Sequence, residues 1–458
     1  MTDSRIQSIH VEQVLEHAAR NEEQYIADLK ALLRIPSVSG NASGIAECVE
    51  FLSDHLRGLG MRVRIFETER NPIILAELEG ASPKTILFYG HYDVQPPDPI
   101  EDWEYPPFAA EESEGRIYAR GAVDDKGNFF CIVKAIQSYV ETLGLFPCSV
   151  KLILEGEEEM GSESIEEFLP QNLDLLKCDD MVWFDGGIHA DGRPEVCLGM
   201  KGMAYVELSA KSLVRDLHSG KAPLVDNAAW RLVWALNSLY GPDQRIAIPG
   251  FYDDVVEPNA SDMALISGSG LTPDDILQDW TIERLRSGYE DLSGAELLRR
   301  LYFEPTCTIC GISAGYGGPG SKTVIPSSAS AKVDFRLVPN QDPDDIVAKL
   351  KGHLCEQGFG DIEVSVHSTM PASKSDPDAD VARKMLDVMR ANYGEPVVKP
   401  IVEGSGPGCV FEKLGVPYVF ARLGPAEDRS HSPNEYTTRE AYCKGIATVI
   451  QFAAEYSC

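Results

Sequence analysis

At 458 residues the chain exceeds the roughly 250–300 residues at which a single hydrophobic core stops growing, so two domains are expected. Its 41 basic residues against 72 acidic ones give a formal charge of −31 at pH 7, which repels phosphate backbones and anionic lipid and argues against nucleic acid or membrane as a partner. With 43% hydrophobic and 25% charged residues the composition is that of a soluble globular enzyme, and an odd count of 11 scattered cysteines predicts reduced thiols in the cytoplasm rather than a disulfide framework.

The N-terminal stretch has no apolar signal core. From Val11 to Leu33 its pattern is helical, stopping before Pro36. Arg62–Phe66 and Ile73–Leu78 alternate like strands. Thr85–Tyr89 is a short apolar run ending at Gly90, and Ser149–Leu154 is another strand that empties into a polar loop. Asn128–Leu143 is helical. Strands alternating with helices predict a largely parallel α/β sheet. Between Gly199 and about Met370 the texture changes: Ala204–Ala210 and Ala331–Leu337 read as strands and Asn227–Leu239 as a helix. This predicts an inserted α+β domain, after which the first domain resumes. No apolar run approaches the ~18 residues of a membrane span.

Acid and histidine clusters follow several of these strands, where α/β sheets place ligands. In Gly90-His91-Tyr92-Asp93 the His and Asp are two apart and share one face of an extended chain, so the carboxylate can orient the imidazole toward a metal. The paired acids of Gly121-Ala122-Val123-Asp124-Asp125 could bridge two cations or merely cap a helix. In Glu155-Gly156-Glu157-Glu158-Glu159 adjacent carboxylates could divide into metal ligand and general base, or form a solvated face. Asp185 ends the run Met181–Phe184, and His431 stands in a loop before a helix. Taken singly, each reads as well structurally as functionally. Together they form a nitrogen and oxygen donor set suited to zinc, manganese or cobalt, without the thiolates of a structural zinc site. Cys307-x-x-Cys310 lacks a second pair and reads as strand.

The ordered runs GHYDVQP, RGAVDDKGN, EGEEEMGS, DGG, LHSG, SKTVIP with DFRLVP, EGSGPG and HSPNE resemble the M20 metallopeptidase family, and within it the branch of carnosinase and the cytosolic non-specific dipeptidases. The resemblance runs from about residue 87 to 436. It implies an α/β fold whose catalytic domain, 1–198 and 371–458, has a central mostly parallel sheet flanked by helices, with a smaller inserted α+β lid/dimerisation domain at 199–370. It implies two divalent ions per subunit, zinc or manganese: His91 and Asp185 on one, Glu159 and His431 on the other, and Asp124 bridging, with a cis peptide after Asp124. Glu158 resembles the general base that takes a proton from a metal-bridging water. Asp93 resembles the acid that orients His91. His218 resembles the histidine that acts across a homodimer interface on the oxyanion, Arg336 the clamp on the substrate carboxylate, and Thr323 and Ser405 further substrate contacts. The remaining histidines read as bystanders.

The expected function is therefore hydrolysis of the amide bond of dipeptides or similar short peptides. N-acyl-amino-acid deacylation, desuccinylase-like or carbamoyl-cleaving, is the alternative within the same fold. A catalytically silent metal binder of this fold is a third reading, and it has no need of Glu158.

Overall fold

The computed structural model describes residues 2–457. The chain divides into two compact units, one of residues 1–199, 375–400 and 406–458, the other of 200–374 and 401–405.

The larger unit is built on an eight-stranded sheet. Its centre is Cys148–Glu155, Ser82–His91, Asp180–Phe184 and Tyr418–Ala421, neighbours in that order and mutually parallel. These strands are near-continuous apolar runs such as Ile86-Leu87-Phe88-Tyr89, all buried, as expected of a sheet covered on both faces. Ile73–Leu78 and then Arg62–Phe66 extend it antiparallel on one side; on the other, Glu195–Cys197 joins antiparallel and Val397–Lys399 pairs parallel with that strand. The alternation of strand and helix thus gives the mostly parallel α/β architecture expected. The helix Lys126–Leu143 lies in the core with Phe129, Phe130, Ile132 and Val133 buried, and ends at Gly144 in a left-handed turn. In place of one helix over Val11–Leu33 there are two, Thr2–Arg20 and Glu22–Leu33. Asn21 divides them: its side-chain amide donates to the His17 carbonyl at 2.9 Å, and its backbone leaves the helical region.

The buried Lys134 on the central helix donates to Asp28 Oδ2 (2.6 Å), Gln137 Oε1 (2.8 Å) and the ring Nε2 of His55 (3.0 Å). Burial, and then the Lys134 charge, push His55 down to about 4. The sign follows. The folded chain keeps His55 neutral, while the unfolded chain takes up a proton near pH 6.5, so stability present above pH 6.5 is lost as pH falls toward 4 and levels off below. That gap is worth about 3 kcal/mol at most. Thermal melts across pH 7 to 4 should show a flatter decline for His55→Leu than for the parent chain; equal slopes would remove His55 as the cause.

The smaller unit carries a four-stranded antiparallel sheet in the order Thr308–Ala314, Ser328–Leu337, Gly202–Lys211, Glu363–Met370. Gly202–Lys211 alternates buried and partly exposed residues, and its inner face packs with Leu232 and Leu236 of helix Ala228–Ser238 and with Ile346 and Leu350 of helix Pro343–Glu356. Cys310 lies in the edge strand, with Cys307 just before it. Three further helices, Ala260–Gly268, Pro273–Asp279 and Gly294–Phe303, enclose a second small core with Ile266, Leu297 and Tyr302. Among the described residues, no helix is long and apolar enough to cross a membrane.

Candidate metal centre

The central strands all run the same way, so their carboxyl ends deliver side chains to one edge of the sheet. His91 is the last residue of its strand, in register with Glu155 on the neighbouring one. Asp185 follows the strand Asp180–Phe184 directly, and Glu158 and Glu159 sit in a short 3-10 turn after Glu155. Asp124 precedes the central helix, and the Asp124–Asp125 peptide is cis. His431 lies in the loop beyond Tyr418–Ala421, with φ of 59°. Gly90 is required before His91: a Cβ there would lie 2.6 Å from Phe129 Cβ and 2.9 Å from Asp125 Oδ2.

Two groups of three result. His91, Asp124 and Asp185 offer donor atoms within 4.8 Å of one another, and so do Asp124, Glu159 and His431. Asp124 belongs to both. One of its oxygens, Oδ1, is 3.1 Å from His91 Nε2, and the other, Oδ2, is 2.9 Å from His431 Nε2. Asp185 Oδ2 stands 3.7 Å from His91 Nε2, and Glu159 Oε2 3.1 Å from His431 Nε2. The Nδ1 of His91 lies 3.2 Å from the Asp93 carbonyl and 3.4 Å from Asp93 Oδ1, both acceptors, so the Nδ1 proton is held there and Nε2 faces the carboxylates. That Nε2 is fully buried and makes no aligned hydrogen bond.

The electrostatics show what such a cluster lacks. Burial alone would lower the His91 pKa, but Asp124, Asp185 and Asp93 outweigh it and raise it well above the ordinary value. Asp124 is driven the opposite way: burial would raise its pKa, yet the imidazoles of His431 and His91 hold it well below the usual range. Burial, and then the Asp124 charge, push Asp185 up to about 6. Glu158 is raised well above its ordinary value by burial, with Asp185, Asp124 and Glu159 adding to this against the opposing His91. The field that would hold a second proton on His91 is one that attracts a cation. An orphaned buried imidazole nitrogen amid converging carboxylates fits divalent metal with nitrogen and oxygen ligands.

The acidic run divides its labour. Glu155 turns inward to accept from Tyr89 Oη (2.5 Å) and Ser162 Oγ (3.0 Å), and Glu157 accepts from Asn71 N and Ser164 Oγ, both at 2.8 Å. Glu158 and Glu159 are left at the cluster. Their backbone amides donate to Asp93 Oδ1 and Oδ2, each at 3.2 Å, so Asp93 positions both the His91 ring and the Glu158–Glu159 turn. Several supporting residues escape a motif reading. Ser39 Oγ donates to Asp93 Oδ2 (2.6 Å), Gln95 Nε2 to Glu159 Oε2 (2.9 Å), and Glu435 accepts from the Asp124 loop. Gln95 and Glu435 do lie inside the runs GHYDVQP and HSPNE, which was the available signal.

The other candidate residues lie in the smaller unit, in two pairs. His218 Nε2 is 3.4 Å from Thr323 Oγ1, and its Nδ1 accepts from Gly220 N at 3.1 Å. Arg336 donates from Nη1 to Ser405 Oγ and from Nε to Asp334 Oδ2, each at 2.9 Å. His189 pairs with Asp191 at 2.9 Å and belongs to neither metal group.

Residues 87–455 match the model of peptidase family M20/M25/M40. The chain is 26% identical over 490 aligned positions to the Beta-Ala-His dipeptidase of Rattus norvegicus, covering 98% of this chain and 96% of that protein. It is 27% identical over 472 positions to the Cys-Gly metallodipeptidase dug1 of Schizosaccharomyces pombe, covering 95% and 96%. Among solved structures, the M20 family metallo-carboxypeptidase Sso-CP2 of Sulfolobus solfataricus superposes with a TM-score of 0.86 at 35% identity, covering 94% of this chain and 99% of that one. A family match across most of the chain, coming upon a cluster of histidine and carboxylate donors at the strand ends, identifies the protein as a metallopeptidase of the M20 family.

Proposed function

We propose that the protein is a cytoplasmic dipeptidase that hydrolyses the amide bond of small unblocked peptides at a two-metal centre. The observation that carries the reading is the Asp124 carboxylate with one imidazole at each of its oxygens, at 3.1 and 2.9 Å, and with Glu158 beside it. Similarity to two dipeptidases over nearly the full length of each supports the substrate class. The ten described cysteines are all free, which supports a reducing compartment.

His91 and Asp185 hold one ion in this reading, Glu159 and His431 the other, and Asp124 serves both; zinc and manganese each suit the donors. When bound, the ions would supply Lewis acidity, lowering the pKa of an attacking water and offsetting charge on the scissile carbonyl. Glu158 takes the proton of that water at its carboxylate and returns it to the leaving amine. His218 donates to the oxyanion: with Nδ1 accepting from Gly220 N, the proton sits on Nε2, beside the Thr323 hydroxyl, and is available for a hydrogen bond to substrate. Arg336 clamps the substrate carboxylate, with Ser405 and Asp334 fixing the guanidinium plane and Thr323 adding a hydroxyl.

The segment 199–370 acts as lid and dimerisation domain. Support comes from its edge strand Thr308–Ala314, exposed throughout with Ile309 and Ile312 outward, and from the exposed, stacked Trp230 and Trp234 on helix Ala228–Ser238. An unpaired apolar edge of this kind is a template for a second copy. In the homodimer His218 serves the partner's site.

Replacing Arg336 by Met should raise KM for free dipeptides at least about 30-fold, the equivalent of about 2 kcal/mol, and leave kcat within a few-fold. Against C-terminally amidated peptides the two enzymes should differ little. An unchanged KM for free dipeptides would remove the clamp.

A carboxypeptidase reading rests on the 35% identity to a metallo-carboxypeptidase and shares the need for a carboxylate clamp. The deciding experiment loads the protein with zinc or manganese and offers dipeptides including β-alanyl-histidine, their N-acetyl forms, longer peptides, and N-acyl and N-carbamoyl amino acids. Chelator-sensitive cleavage confined to unblocked dipeptides establishes the proposal. Release of C-terminal residues from longer or acetylated peptides establishes the carboxypeptidase, and cleavage of acyl amino acids alone the deacylase.

A further inference from the structure

One buried carboxylate in the larger unit has no place in the chemistry above. Glu435 is 0% exposed and lies four residues after His431. Its side chain reaches back to the loop that carries Asp124. Oε1 accepts from the backbone amides of Val123 (2.9 Å) and Asp124 (3.2 Å). Oε2 accepts from the amide of Gly121 (3.1 Å) and from Arg120 Nη1 (2.7 Å). The Glu435 carbonyl accepts from Ala119 N at 3.1 Å. Gly121, with φ of 86°, turns the chain so that successive amides converge on one anion.

The surroundings tie both arms down. Tyr436–Thr438, immediately after Glu435, pairs antiparallel with Arg116–Tyr118, immediately before the Asp124 loop. Asn434 donates from Nδ2 to the Asp102 carbonyl (2.9 Å) and accepts from Glu104 N (2.6 Å). The Arg120 guanidinium sits 5.4 Å from the Trp103 ring centroid. A buried ion pair is weak evidence of stabilisation, since well-packed apolar residues often serve a fold as well. This one does what an apolar pair cannot: it gathers three backbone amides leading to one metal-binding residue onto a side chain anchored beside another.

We infer that Glu435 is a positioning residue that clasps the Asp124 loop to the His431 loop and so sets the span between those two donors before any metal arrives. The inference rests on the assignment of Asp124 and His431 as metal ligands. Glu435 itself belongs to neither donor group. Its loss acts on metal affinity because the donors must then be gathered at the moment of binding, and the loss of such supporting partners costs 10–100-fold in affinity.

The test is Glu435→Gln. The glutamine keeps the shape, but its amide group turns N–H toward N–H and leaves Arg120 without a counter-charge. Zinc and manganese affinities, measured by competition with a chromogenic chelator, should weaken about 10–100-fold, and the visible spectrum of the cobalt-loaded protein should change. Asp28→Asn, which removes a hydrogen-bond partner of Lys134 rather than one of either loop, serves as a control that lowers melting temperature while keeping parental affinity and spectrum. Parental affinity and spectrum in Glu435→Gln would overturn the inference. A parent chain that takes up no metal would overturn the metal assignment itself, and the two failures are distinct. Should the variant not fold, hydrogen exchange on the parent decides. The amides of Gly121, Val123 and Asp124 are expected to be protected without metal as they are with it, and protection that appears only on loading would show that metal, not Glu435, holds the loop.

Discussion

Changing Glu158 to Gln should lower kcat by about 10²–10⁴ while leaving metal content unaltered. The side chain is half-buried and belongs to neither donor group, so an isosteric amide is tolerated in the fold. Asp93 holds the Glu158 and Glu159 amides through the backbone, and those bonds survive the change. What is lost is a carboxylate able to accept a proton from water and hand it to the leaving amine, which raises the barrier by about 3–5 kcal/mol. Steady-state kinetics with elemental analysis of the same preparation checks both halves. Turnover at the parental rate would show that the proton goes elsewhere. Lost metal would show that Glu158 is a ligand.

Asp124→Asn is expected to act on the metals first. Its two oxygens face different imidazoles, His91 and His431, so one substitution strikes both groups. Asparagine keeps one neutral oxygen and presents an amide N–H₂, which repels a cation, in place of the other. Affinity for both ions should fall by more than the roughly 100-fold that an outer partner can cost, with activity following. Asp185→Asn, which touches one group, should release one ion and retain the other. Elemental analysis after dialysis distinguishes these outcomes, and equal retention in Asp124→Asn and the parent would exclude a shared carboxylate.

Much of this architecture could be read in the sequence because it obeys local periodicities. Apolar runs ending in Gly90 or Glu155 announce strands, and acids or histidines just past them must lie at one sheet edge once the strands are parallel. The break at Asn21 was less legible, since the apolar stripe continues across it and a single side-chain hydrogen bond decides the matter. The short helices Ala260–Gly268 and Pro273–Asp279 carry start signals rather than a strong apolar period: Asn259 with Asp262 and Thr272 with Asp275 form capping boxes. The clasp of Glu435 on the Asp124 loop could not be inferred from spacing, because its partners lie 311 to 315 positions away and meet only through the strand pairing of 436–438 with 116–118.

The order in which the donors occur along the chain has a consequence for biosynthesis. His91, Asp124 and Asp185 have all been translated once residue 185 is made, whereas the group of Asp124, Glu159 and His431 must wait for His431, far later in the chain. On the ribosome, where N-terminal portions emerge first, a nascent chain holds one set of three donors long before it holds the other. In the two-metal reading, the ions of the two groups therefore face different competitions. The first group can meet whatever cation is abundant during synthesis, while the second is assembled only after the long stretch from residue 185 to His431 has been added.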